Sequence, residues 1–89
     1  MKKAIITVLG QDRVGIISGV CTLLANENIN ILDISQTIVD GYFNMMMIVD
    51  VSGVDNLNDT IEHLDKIGSD LGVIIKCQRE EIFASMHRI

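Results

Sequence analysis

Proline is absent from this chain of 89 residues, so no Pro-rich linker divides it and no helix or strand pattern is broken by one. Aromatic residues are almost as scarce. Tyr42, Phe43 and Phe83 are the only three, too few for the stacking platforms that bind single-stranded nucleic acid. Basic side chains number seven against twelve acidic ones, for a net charge of −5. They are scattered rather than clustered, which excludes a duplex-binding surface. No apolar run approaches the roughly 20 residues of a membrane helix. Met1-Lys2-Lys3 leads directly into a strand pattern, without the roughly 7–15-residue apolar region of a signal peptide. A cytoplasmic location is therefore expected, with neither membrane nor nucleic acid as a partner. The two cysteines, Cys21 and Cys77, form no CxxC pair. Each lies in an apolar periodic segment, and both are expected as reduced, buried small hydrophobes. His63 and His87 stand apart from ligand-spaced acids or thiols and are expected as exposed helix residues. No zinc site, catalytic triad or cofactor site can be assembled from these residue types.

What the chain has in quantity is apolar residues, 48% of the total. A single small domain buries roughly 60–65% of its unfolded surface, so this content supplies a core and leaves some apolar surface for a partner. Ala4–Leu9 is a continuous apolar run, as in a central strand buried on both faces. Gly15–Glu27 carries Ile16, Ile17, Val20, Cys21, Leu23 and Leu24 at helical spacing, with Asn28 expected in a left-handed cap conformation. Ile29–Val39 reads as a second strand, with Leu32, Ile34 and Ile38 on one side and Asp33, Ser35 and Thr37 on the other. Asp40-Gly41 is a two-residue hairpin signal. The third strand, Tyr42–Val51, places Phe43, Met45, Met47, Val49 and Val51 on one face. Met45 and Met47 are thereby core and Met46 opposite-facing, which makes the Met run packing rather than a copper site.

Ser52-Gly53-Val54-Asp55 matches a capping box. It precedes an apolar stripe of Val54, Leu57, Ile61, Leu64, Ile67 and Leu71, which Gly72 terminates. Val73–Gln78 is a fourth strand, and residues 79–89 repeat a helical pattern with Ile82, Phe83, Met86 and Ile89. The order β-α-β-β-α-β specifies an α+β, ferredoxin-like sandwich of four antiparallel strands with two helices on one face, followed by a short C-terminal helix. One domain over 1–89 is expected, with its core in 3–78 and the helix in 79–89.

The segment Gly10-Gln11-Asp12-Arg13-Val14-Gly15-Ile16-Ile17 joins the first strand to the first helix. A glycine-bounded turn there aims free backbone N–H groups at one spot, reinforced by the helix dipole, and such a corner can hold a small anion. The same glycines also serve a turn that is only structural, with Asp12 as a helix cap. A nucleotide P-loop is excluded because Ile16-Ile17, not Lys and Ser/Thr, follow the second glycine. Asn30, at the start of the second strand, offers amide donors and an acceptor to a zwitterionic ligand. The second strand is an expected sheet edge without Lys or Pro. Such an edge is a pairing hazard; a second copy of the chain covers it economically as a symmetric dimer, and the alternative is protection within one subunit by the C-terminal helix or by Asp33 and Asp40. The apolar face of Glu80–Ile89 is expected to dock on the sheet's open face or on a partner. That open face includes Ile5, Leu9, Met46 and Ile48.

The glycine corner, the amphipathic helix after it, and Asn30-Ile31 on the second strand together resemble the ACT domain family. The resemblance covers residues 3 to 78, and Gly15 corresponds to the family's glycine at the helix start. The chain is also similar to small stand-alone ACT-domain proteins of bacteria and archaea, and to the ACT units of the glycine cleavage system transcriptional repressor. The resemblance implies a non-enzymatic regulatory module that binds an amino acid or similar small molecule between paired domains. It implies ligand contacts from Gly10, Gln11, Asp12, Val14 and Gly15 of one subunit and from Asn30 and Ile31 of its neighbour. Where amino-acid-sensing members often carry an amide or imidazole in this loop, Gly10 and Asp12 stand here. An Asp pairs with a ligand ammonium and repels a carboxylate. Two alternatives remain at this level: a ligand-free protein–protein interaction module, and an acylphosphatase-like enzyme using Arg13 and Asn30.

Overall fold

The computed structural model describes residues 1–81. Its elements are β1 (Lys3–Gln11), α1 (Ile16–Asn26), β2 (Asn30–Val39), β3 (Tyr42–Asp50), α2 (Leu57–Leu71) and β4 (Val73–Arg79). The four strands form one antiparallel sheet in the order β2-β3-β1-β4. This is the expected ferredoxin-like βαββαβ arrangement. Arg79 belongs to β4, and the C-terminal helix expected over 79–89, His87 included, lies outside the described residues beyond Glu81.

Register follows from the pleat. Pairing of Ile6 with Met47 and of Val8 with Met45 aligns Ala4, Ile6 and Val8 with Phe43, Met45, Met47 and Val49 on the face toward the helices. Ile16, Val20 and Leu24 of α1 and Leu64 of α2 close over that row, and all are buried. Met46 is on the other side and exposed. The expectation that Ala4–Leu9 is buried on both faces fails at Leu9, which is 53% exposed. Among the described residues α1 and α2 lie on one face; Leu9, Met46 and Ile74 stand exposed on the other, whereas Ile5, expected on that open face, is buried at 6%.

β2 is the edge, as expected, but its two rows differ from a simple alternation. A bulge between Ile31 and Asp33 takes Leu32 out of the pairing. The row on the helix side is Ile31, Ile34, Gln36 and Ile38, set by their partners Val49, Met47, Met45 and Phe43. The hairpin after β2 has positive φ at both Asp40 (53°) and Gly41 (80°), the geometry of a type I′ turn.

Helix termini explain the other differences. α1 ends as expected at Asn28, which takes φ 62°. The amides of Asn28 and Ile29 return to the carbonyls of Ala25 and Leu24, at 3.2 and 2.9 Å, completing a Schellman motif with Asn in place of Gly. The expected capping box at Ser52–Asp55 does not form. Asp50 captures Ser52 instead, accepting from its hydroxyl at 2.6 Å and its amide at 2.9 Å. The cap of α2 is Asn56, whose side chain accepts from the Asn58 amide at 3.0 Å, so Val54 precedes the helix. Gly72, with φ 74°, ends α2 as expected. Cys21 and Cys77 are free and half-buried rather than fully buried, since both lie at the margin of the core. Burial pushes the Cys77 thiol up to about 11, which keeps it protonated and unreactive.

A polar clamp joins the two helices. Glu27, at the end of α1, accepts from the hydroxyl of buried Thr60 at 2.8 Å and lies 2.7 Å from His63 Nδ1. His63 is exposed as expected but engaged. The Thr60 hydrogen bond, opposed by partial burial and aided by His63, holds the Glu27 carboxyl below its ordinary value. A depressed carboxyl pKa adds stability that is present at neutral pH and lost as pH falls through the folded-state value. Glu27→Gln is therefore expected to be less stable than the wild type in urea unfolding at pH 7. The gap should close as pH is lowered into the range where Glu27 protonates; a gap independent of pH would contradict the clamp.

Candidate functional site

β1 continues through Gly10 and Gln11 before the chain turns into α1. Gly10 is dictated by packing. A Cβ there would stand 2.8 Å from Val73 Cγ1 and 3.0 Å from Val73 Cα, closer than a methyl group tolerates. Gly15 has the opposite reason. Space around it is open, but its φ of 96° is one that L side chains rarely adopt. As the N-cap of α1 it offers no side chain, and Asp12, expected as a possible cap, does not fill the role. The first α1 amides therefore have no acceptor within the helix until Gly19, which bonds Gly15 O at 2.9 Å.

Two bonds fix the loop from behind. The Asp12 amide donates to Gly41 O at 2.9 Å, tying the loop to the β2–β3 hairpin. Arg13 Nη1 donates to Leu71 O at 3.0 Å, tying it to the end of α2. Gln11, Asp12 and Val14 are exposed, and Val14 is 99% accessible. The corner is thus anchored on its inner side and open on its outer side. The sequence offers Arg13 only as a catalytic candidate of the acylphosphatase-like alternative; its partner is 58 residues away, and no local pattern announces it.

Asn30 and Ile31 are not part of this corner within one chain. Asn30 pairs with Asp50, which pairs with Lys3; at the other end Val39 pairs with Tyr42, which pairs with Gln11. Eight residues of β1 separate the two levels, about 27 Å at ~3.4 Å per residue. Asn30 is exposed and Ile31 half-buried. Beside them, the Ser52 hydroxyl and amide hold the Asp50 carboxyl below its ordinary range. The same separation keeps Asn30 away from Arg13, so the chain does not assemble the pair an acylphosphatase would need. Among the described residues no group of His, Cys, Asp and Glu is placed to hold a metal ion, and no helix is long and apolar enough to cross a membrane.

A family model for the ACT domain matches residues 2–78. A UPF0237 protein of Bifidobacterium longum is 62% identical over 90 residues, covering 100% of both chains. Among solved structures, an ACT domain protein from Streptococcus pneumoniae superposes with a TM-score of 0.82 at 40% identity, covering 92% of this chain and 93% of that one. A putative glycine cleavage system transcriptional repressor gives 0.73 at 25% identity, over 88% of this chain and 45% of its own. The fold class is thus that of the ferredoxin-like regulatory domains. The chain belongs to the ACT domain family, whose members are generally small-molecule-binding regulatory modules.

The packing at Gly10 sets a stability expectation. Gly10→Ala should cost about 1–3 kcal/mol, the usual penalty of overpacking, read as a lower urea midpoint with unchanged slope. An unchanged midpoint would show that β1 and β4 are not in close register there.

Proposed function

We propose that the chain is a non-enzymatic regulatory module that binds an amino acid or similar small molecule at a site shared between two copies. The supporting observation is the position of β2. It links the level of Asn30 to the level of the corner, it is the sheet's edge, and it is exposed along almost its whole length. Ile34 and Ile38, on the side where the helices lie, are both exposed, Ile38 to 57%. Antiparallel pairing of β2 with its copy sets Asn30 of one chain opposite Val39 of the other. That carries the neighbour's Asn30 and Ile31 toward the corner that they cannot reach in their own chain. The backbone N–H groups of Val14 to Ile16 receive the ligand carboxylate, Asp12 takes its ammonium, and Gly10, Gln11 and Gly15 shape the floor. Ligand binding then favours the paired arrangement, which couples occupancy to assembly.

A second reading has its own observation. The open sheet face carries exposed Leu9, Met46 and Ile74, apolar surface of the kind that docks a protein. On that reading the module binds a protein partner and no small ligand.

Calorimetric titration with the common amino acids separates the two. Saturable heat from at least one of them is expected, and Gly15→Val should weaken that ligand by at least about tenfold, since a β-branched residue costs of order 1–3 kcal/mol at such a φ. No heat at millimolar ligand, with a stoichiometric protein recovered in pull-downs, would favour the second reading. Light scattering tests the pairing. The wild type is expected at the mass of two chains, and Ile38→Lys, a charge placed on the edge, at the mass of one with weakened ligand binding. A wild-type mass of one chain at every concentration would remove the shared site.

A further inference from the structure

We propose that Arg13 is the positioning residue of the glycine corner, and that its bridge makes the α2–β4 turn the first element to respond to what the corner holds. The second half rests on the corner being the ligand site.

Leu71 is the last residue of α2, and its carbonyl is one of those a helix leaves without an internal partner. The C-terminal end of a helix dipole favours a cation. The last turn of α2, Gly68-Ser69-Asp70-Leu71, supplies an acid and no base. Arg13 provides the missing donor and charge from a different element, at 3.0 Å. The corner and the α2–β4 turn meet a second time where Gly10 lies against Val73 without room for a methyl group. Gly10 and Arg13 therefore hold the two ends of Gln11-Asp12 against residues 71–73, while Val14 and Gly15 face open space.

The chemistry of Arg13 makes this link responsive. Arg13 immediately precedes the residues proposed to hold the carboxylate, so both belong to one short loop. Arginine bonds a carboxylate more strongly than a neutral carbonyl. A carboxylate at the corner therefore competes with Leu71 O for the same group, and the cap of α2 loosens as the corner fills.

Amide hydrogen exchange on the full chain without ligand tests the bridge. In Arg13→Gln, the bonded corner amides of Asp12 and Gly19 and those of 71–73 should both exchange about fivefold faster, the factor set by one ordinary hydrogen bond, while those of Ile6, Met45 and Met47 stay unchanged. Arg13→Lys, which keeps the charge and a donor, should recover most of the protection. Gly72→Ala perturbs the Leu71 carbonyl from the other end; it should quicken the corner amides in the wild type and add nothing there in Arg13→Gln. Acceleration in only one of the two segments, acceleration spread through the sheet, or an effect of Gly72→Ala on the corner without Arg13 would each overturn the bridge. The response half is read separately, by adding an amino acid that binds the wild type. Faster exchange at 71–73 on saturation supports it, and unchanged or slower exchange overturns it. A wild type that binds none of the common amino acids overturns the site and this response with it, while the exchange of the free variants still decides the bridge.

Discussion

Two helices can cover one face of a four-stranded sheet and little more, and the remaining surface of this molecule follows from that limit. α1 and α2 close over the inner rows of β1, β3 and β4, where Ile6, Val8, Met45 and Met47 are fully buried. The inner row of β2 lies beyond their reach, so Ile34 and Ile38 stay exposed although they align with core residues of β3. The outer face has no cover among the described residues over Leu9, Met46 and Ile74. Apolar content that is ample for a small core is thus divided between a core and two accessible surfaces, an edge and a face. Surfaces of this kind mark association in soluble proteins, and the edge strand is the one that runs from the level of Asn30 to the level of the glycine corner.

Topology places the corner where three turns converge. The β1–α1 loop, the β2–β3 hairpin and the α2–β4 turn all lie at the same end of the sheet. The Asp12 bond to Gly41 and the Arg13 bond to Leu71 join them. Loops anchored this way hold their backbone donors in fixed directions, which a binding site on a rigid scaffold requires. The opposite end gathers the α1–β2 turn, the start of α2 and the Glu27–Thr60–His63 clamp. One end is built for helix-to-helix adhesion, and the other leaves its amides exposed.

Features set by adjacent residues were legible in the sequence. Asp40-Gly41 reads as a hairpin because both positions must take positive φ, and Asn28 and Gly72 read as caps for the same reason. Alternation along Phe43–Val49 assigned the three methionines correctly, because pleat geometry has no competing solution on a strand covered on one side. The order of these elements fixed the fold class. Features set by a partner distant in sequence were not legible. Ser52 reads as a helix cap until Asp50 is seen to take it; Leu32 reads as part of a row until the β3 pairing inserts a bulge. Gly10 and Gly15 look alike in sequence, yet one is required by Val73 and the other by its own backbone angle. The corner itself was found by its glycines, whereas Arg13 was not, because Leu71 meets it only after the sheet has formed.

The chemistry proposed for the ligand is narrowed by which amides are already used. Asp12 N–H is bound to Gly41 O, so this residue has no backbone donor to offer, and what it adds to the proposed site is a carboxylate. Free donors follow Asp12 and continue into the first turn of α1, where the helix dipole adds positive potential. A simple anion gains from the second feature and is repelled by the first. An ammonium alone gains from Asp12 and is repelled by the helix. On the proposed reading, a molecule carrying both charges a few bonds apart satisfies each at its own position, and an α-amino acid is the expected ligand ahead of phosphate or a plain carboxylate. A site proposed on these terms selects by charge separation within the ligand, and in the proposed pair the neighbour's Asn30, with both a donor and an acceptor, would serve either end of the same zwitterion.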